Sequence, residues 1–191
     1  MAARRYDPGR RDRLVDAAVR VVAERGIDGL THRAVAAAAD VPLGSTTYHF
    51  TDRDALLLAA LERINDAWLE DFAGRLAALD PAVPLPEHLG RYIADCLGPR
   101  REETELAYEL YFAGLRLPAV RPLAARCLDR MAELVAPLVP DRDTARALVA
   151  ACDGLIIQLL LTGRPYDPAR AGAILARLLP GTGSPPAPAT R

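Results

Sequence analysis

Lysine is missing from this chain of 191 residues: its 24 basic residues are all arginine, set against 25 acids and 3 histidines for a formal net charge of −1. With so much alanine, proline and leucine beside it, that absence reads as the codon bias of a GC-rich bacterial genome rather than a functional choice. Cysteine is scarce. Cys96, Cys127 and Cys152 are odd in number, far apart and without CxxC spacing, which argues against a disulfide framework or a thiolate metal site. No stretch of about eighteen uncharged apolar residues occurs, so no membrane span is expected. The opening MAARRYDPGRRDR has no apolar signal-peptide core, and a cytoplasmic location follows as the expectation. Catalytic signatures are missing as well: there is no GxGxxG, Walker loop or GxSxG. His32, His49 and His88 are dispersed, and Glu102, Glu103, Glu105 and Glu109 lack a histidine three residues on. No metal, cofactor or enzymatic activity is therefore expected. Alternating apolar–polar runs of useful length are absent too, which leaves an all-α chain of about nine helices.

The chain is organised around residues 26–53, GIDGLTHRAVAAAADVPLGSTTYHFTDR. Thr31 is a good helix N-cap, and the Ala-rich run over 32–39 behind it is helix-competent. Asp40-Val41-Pro42 breaks that run, because the residue before a proline is pushed out of the α region. A second short helix fits 43–49, its first turn offering Gly44, Ser45 and Thr46. Two short helices with a tight turn between them make a helix-turn-helix, whose second helix enters the major groove of double-stranded DNA N-terminus first. Val35, Ala38, Val41 and Phe50 are read as core rather than as DNA contacts.

Residues 1–6 read as a basic arm, open either to a solvated tail or to minor-groove and phosphate contact by Arg4, Arg5, Arg10 or Arg11. Asp7-Pro8 is expected to cap and start the first helix, and Gly26 to stop it. A long helix runs from the cap at 51–54 to Leu79, with Leu57, Leu61, Ile64, Trp68 and Phe72 on one face, and joins a domain of residues 1–53 to one of 54–179. Proline and glycine punctuate the rest into helices over 87–97, 99–114, 118–135, 141–161 and 168–179. Residues 180–191 read as a disordered tail. Residues 1–53 hold nine arginines against seven acids and the remainder fifteen against eighteen, a mildly basic head on a mildly acidic body.

Several spaced anchors in the first sixty residues carry a resemblance. Glu24-Arg25-Gly26, Gly29-Leu30-Thr31, Gly44-Ser45, Tyr48-His49-Phe50 and the helix opening at Asp52 are similar to the DNA-binding domain of the TetR family of transcriptional regulators. Two positions depart from that pattern: Asp40 stands where glycine is commonest, and Thr46-Thr47 replace the usual aliphatic–aromatic pair. The resemblance implies a homodimeric repressor that binds a palindromic operator and is released by a small-molecule effector in the C-terminal body. Matched to the family motif, Thr31, Gly44, Ser45, Tyr48, His49 and Arg53 would position the domain on phosphates, with Arg33 and Thr47 reaching bases. Candidates for an effector pocket are Trp68, Tyr92, Tyr108, Tyr111, Phe112, Arg116, Met131, Asp153 and Gln158, each competing with ordinary packing. The last two helices are the expected dimer interface, with Leu148, Cys152, Leu155, Ile156, Leu159 and Leu160 on the first of them, and internal core as the other reading. An all-α small-molecule-binding or interaction protein that no longer reads DNA stays open as the alternative function.

Overall fold

The computed structural model describes residues 7–179, the Leu110 side chain apart, and these residues form nine α-helices and no strand. The arm at 1–6 and the tail at 180–191 lie outside the described residues. Two compact units are present. One joins the described residues up to Trp68 with Leu106–Ala124; the other joins Leu69–Glu105 with the described residues from Ala125 onward.

In the first unit, α1 (Arg10–Arg25) buries Leu14, Val15, Ala17, Ala18, Val21 and Val22 along one stripe. It starts later than Asp7-Pro8 implies. The Asp7 carboxylate is taken up by the Arg13 guanidinium, which holds its pKa below the usual value, and Gly9 stands at the cap. Gly26 stops α1 at φ 67°, its N–H donating to the Val22 carbonyl, and a short turn of 3-10 helix covers Ile27–Gly29. α2 (His32–Ala38) begins at Thr31, whose Oγ1 accepts from the Ala34 N–H at 3.0 Å. Its inward face is Val35-Ala36. Ala38 is exposed, contrary to expectation, and its carbonyl accepts from Arg20 at 3.0 Å. Asp40 takes φ 51°, a left-handed geometry that Asp tolerates better than most residues, so the turn forms without glycine. α3 (Leu43–His49) follows, and α4 (Arg53–Ala77) opens on an Asp52 cap that accepts the Ala55 N–H at 2.8 Å.

The expected boundary at residue 53 falls inside this unit. Helices of seven residues cannot enclose a core by themselves, so Leu56, Leu57, Ala60 and Leu61 of α4, with Val120 and Leu123, close the cluster around α1, Leu30, Val35 and Phe50. Burying several such side chains at ~1.5–3 kcal/mol each is what holds the two short helices in place. Arg63 adds a tie from α4 to α1, bonding Asp16 at 2.6 Å and Asp12 at 3.0 Å.

In the second unit, α5 (Leu85–Leu97) lies close against α9 (Pro168–Ala176), and both pack with α8 (Arg142–Thr162). Gly90 of α5 and Gly172 of α9 make the close approach. A Cβ on Gly90 would stand 2.5 Å from the Pro168 carbonyl oxygen, and one on Gly172 would stand 3.2 Å from that of Pro86. The Tyr166 hydroxyl donates to the Gly90 carbonyl at 2.6 Å. Leu89, Tyr92, Ile93 and Cys96 fill this core from α5, Leu148, Cys152 and Ile156 from α8, and Ala171 and Leu175 from α9. α6 (Arg101–Ala113) begins in this unit and ends in the first; α7 (Arg121–Val135) runs the other way. Asp71 accepts from Arg75 at 2.8 Å and Arg100 at 2.5 Å, and Arg75 also reaches Asp95 at 2.6 Å. Asp141 and Asp167 cap α8 and α9, accepting from Thr144 and Ala169 N–H groups. α9 ends at Ala176, short of the expected 179. By length and composition alone α8 is long and apolar enough to cross a membrane, but Arg146 and Asp153 lie within it, so it is not an uncharged apolar run.

Candidate functional site

The helix-turn-helix places its predicted residues unequally. Thr46 has 0 % exposure; its hydroxyl donates to the Leu43 carbonyl at 2.8 Å, so a polar side chain is satisfied inside its own helix at a core position. Ser45 is also buried, at 7 % exposure, and its amide is bonded to the Pro42 carbonyl at 2.8 Å. The Ser45 side chain thus faces protein in the free chain. Thr47 and Tyr48 face outward instead, Tyr48 with 75 % of its surface open and its ring edge-to-face with His49 at 5.0 Å. A Cβ added to Gly44 would meet nothing within 4 Å, so the first turn of α3 stands clear. Arg33 is exposed in the first turn of α2, and the exposed Thr31 has its Oγ1 engaged as that helix's cap.

Arg53 has a task that the sequence does not suggest. Its Nε donates to the Leu30 carbonyl at 3.0 Å and Nη2 to the Ile27 carbonyl at 2.5 Å, with Asp28 at 3.6 Å. The guanidinium clamps both ends of the turn that delivers Thr31 and α2. No sequence signal gave this away, because the acceptors are backbone carbonyls. Arg20 on Ala38 and the Arg11 guanidinium 5.4 Å over the Phe50 ring are further fasteners that sequence reasoning missed. Asp52 is held below the usual carboxylate range, chiefly by the Ala55 N–H, then by the Thr51 hydroxyl, with His32 adding a favourable charge.

The effector candidates fall into both units. Trp68, Tyr108, Tyr111, Phe112 and Arg116 belong to the first; Tyr92, Met131, Asp153 and Gln158 belong to the second. On α6, Tyr108 stacks on Phe112 with ring centres 6.1 Å apart, and Tyr111 meets Phe112 edge-on at 5.5 Å. Tyr92 and Met131 are buried, the former edge-on to Phe72 at 5.2 Å, while Asp153 is half-buried and Gln158 exposed. Of the expected interface residues, Leu148, Cys152 and Ile156 are buried within the chain itself, so they are core. Leu155, Leu159 and Leu160 are only half-buried, and Leu161, not singled out from the sequence, is 82 % exposed. The missed signal was phase. Positions 148, 152 and 156 recur every four residues on the inward stripe, and 161 lies off it.

A short capped helix, a left-handed turn and a second short helix with an open first turn, all set on a closed core, define a DNA-binding helix-turn-helix module. Comparison with known proteins gives the family. Residues 14–60 match the bacterial regulatory proteins of the tetR family, and residues 84–181 match the tetracyclin repressor-like C-terminal domain. The chain belongs to the TetR family of transcriptional regulators. It is 30% identical over 168 residues to the HTH-type transcriptional regulator BetI of Burkholderia thailandensis, covering 83% of this chain and 85% of that one. Among solved structures, the multidrug binding protein EbrR complexed with imidazole is 49% identical with a TM-score of 0.82, over 93% of this chain and 99% of that one. A TetR-family member from Streptomyces coelicolor A3, SCO1917, is 50% identical with a TM-score of 0.75, over 91% of this chain and 99% of that one.

Proposed function

We propose that this regulator acts in the cytoplasm as a repressor, binding a palindromic operator as a homodimer and leaving it when a small organic molecule occupies its C-terminal domain. The observation that carries the DNA reading is α3: its buried side is locked by Thr46 while Gly44, Thr47 and Tyr48 are left open. Small and hydroxyl-bearing groups at the start of a recognition helix let backbone and side chains approach base edges and phosphates. In this reading Thr47 and Arg33 reach bases, and Tyr48, His49 and Thr31 reach phosphates. Arg53 contributes by holding the turn, and Gly44 by its bare backbone.

The dimer reading is supported by α8, of whose apolar window only 28% is buried inside one chain. With Leu161, the exposed Ile174 and Leu178 on and just past α9 supply apolar surface that a second copy would cover. For the effector, EbrR has also been solved with ethidium, proflavin and malachite green. These are aromatic cations, and the Tyr108, Tyr111 and Phe112 rings offer this chain faces for them to lie against. An effector shifts the equilibrium only if it binds the DNA-incompetent state more tightly.

The experiment is a titration of the purified protein on its own upstream intergenic DNA at two salt concentrations, with a scrambled duplex as control and ethidium as competitor. Specific, steeply salt-dependent binding by two protomers or a multiple, reversed by the dye, is the expected result. Loss of specificity both there and in a random-sequence selection would refute the DNA reading and favour a ligand-binding protein.

A further inference from the structure

The first unit carries an open cleft of about 500 Å³ that the DNA-contacting residues do not use. One wall is the turn at Ile27 and Asp28 with Arg53 beside it; the other is the end of α6 and the turn after it, with Glu109, Phe112, Leu115, Arg116 and Leu117. That volume suits a small organic ligand. The apolar part is under-covered, since both Phe112 and Leu115 are exposed.

The charges are not equally satisfied. Arg53 already donates to two carbonyls and lies 3.6 Å from Asp28. Arg116 sits in the turn closing α6, its N–H bonded to the Ala113 carbonyl, where the helix's free carbonyls offset a positive charge. Glu109 is the reverse case. Its Oε1 lies 3.5 Å from where a Cβ on Gly26 would stand, against the C-terminal end of α1, which already bears partial negative charge. No ion pair to Glu109 is present among the described residues. Two acids and two arginines line the cleft, so it is balanced in formal charge, but the helix ends favour Arg116 where it stands and disfavour Glu109, which sits one helical turn from the open Phe112 ring.

We propose that this cleft binds an organic cation with an apolar body, and that binding there loosens the Arg53 clamp. The cation would lie against Phe112 and Leu115 with its charge towards Glu109 and Asp28, competing with Arg53 for the Asp28 carboxylate and repelling the guanidinium. Arg53 holds the carbonyls at both ends of the turn preceding Thr31, so its release frees the start of α2. A ligand seated here acts on the DNA-binding unit directly. The inference rests on the regulator reading above and adds the seat of a ligand and its route to the DNA-binding helices.

The test uses the full-length protein with ethidium as probe and fluorescein as an anionic control. Glu109→Gln, an exposed change, is expected to weaken ethidium binding about fivefold, the weight of one partly exposed charge contact. Arg116→Gln is expected to leave it unchanged or strengthen it. Ethidium should also speed amide hydrogen exchange at residues 30–34 in the wild type and less so in Glu109→Gln. An ethidium isotherm unaltered by Glu109→Gln, no ethidium binding, or fluorescein binding that Arg116→Gln abolishes would each overturn the proposal. Failure of the regulator reading looks different: ethidium binding would still depend on Glu109, with no operator DNA for it to release. Release of operator DNA from Glu109→Gln at wild-type dye concentrations, beyond what intercalation causes with an unrelated DNA-binding protein, would refute the cleft alone.

Discussion

Replacing Gly90 by alanine sets helix propensity against packing, and the structure says which wins. Alanine is better than glycine in a helix interior by about 1 kcal/mol, so α5 alone would be strengthened. The new Cβ, however, would stand 2.5 Å from the Pro168 carbonyl oxygen, where a carbon–oxygen contact needs ~3.3 Å. Both sides are backbone or rigidly attached to it, so no rotamer relieves the clash. α5 and α9 must part by several tenths of an ångström, an overpacking cost of ~1–3 kcal/mol. Parting them also stretches the Tyr166 bond to the Gly90 carbonyl, worth about 1 kcal/mol. The net expectation is a loss of about 1–3 kcal/mol, read as a fall of roughly 0.5–1.5 M in the urea midpoint at constant slope and fixed protomer concentration. Gly172→Ala meets the Pro86 oxygen at 3.2 Å, so a small adjustment offset by propensity should leave stability within about 1 kcal/mol of wild type. Gly74→Ala in α4 meets nothing within 4 Å and should gain up to ~1 kcal/mol. A Gly90→Ala midpoint at or above that of the wild type would refute the close-packing argument.

Three further substitutions separate roles. Arg53→Ala should lower stability by ~1–3 kcal/mol through two abandoned carbonyls and weaken DNA binding without changing its salt slope; a slope lower by about one would mark a phosphate contact instead. Gly44→Ala should keep or raise the melting temperature while weakening operator binding about tenfold or more in a gel-shift titration, since a methyl would occupy space that DNA backbone needs. Unaltered affinity would remove the first turn of α3 from the interface. Leu161→Asp should shift sedimentation from dimer towards monomer, while a dimer indifferent to it would place the interface away from the outer face of α8.

The fold was legible wherever local chemistry decides it. Thr31 caps the helix it was expected to cap, Gly26 stops α1, and Asp40 makes the turn. Asp7-Pro8 failed because a nearby arginine competed for the capping carboxylate. The site was less legible, for a consistent reason. A pattern of residue types says which groups gather near a recognition helix, but burial sorts them. In α3, Ser45 and Thr46 turn inward while Thr47 and Tyr48 turn out, a phase that four adjacent small polar or aromatic residues do not announce. The clamp made by Arg53 was illegible for another reason: its partners are carbonyls 23 and 26 positions away. On α8 the apolar character was plain, but its division between core and outer face depends on where α5 and α9 lie.

The buried thiols of the second unit double as clocks. Cys96 and Cys152 are shut inside the packing of α5, α8 and α9, and burial pushes the Cys152 thiol up to about 12. A neutral-pH thiol reagent can therefore meet them only when that packing opens, whereas the half-buried Cys127 on α7 marks the rate without such opening. With three cysteines in the whole chain, the lag between the first label and the later two times the breathing of the α5–α9 contact in the unmodified protein.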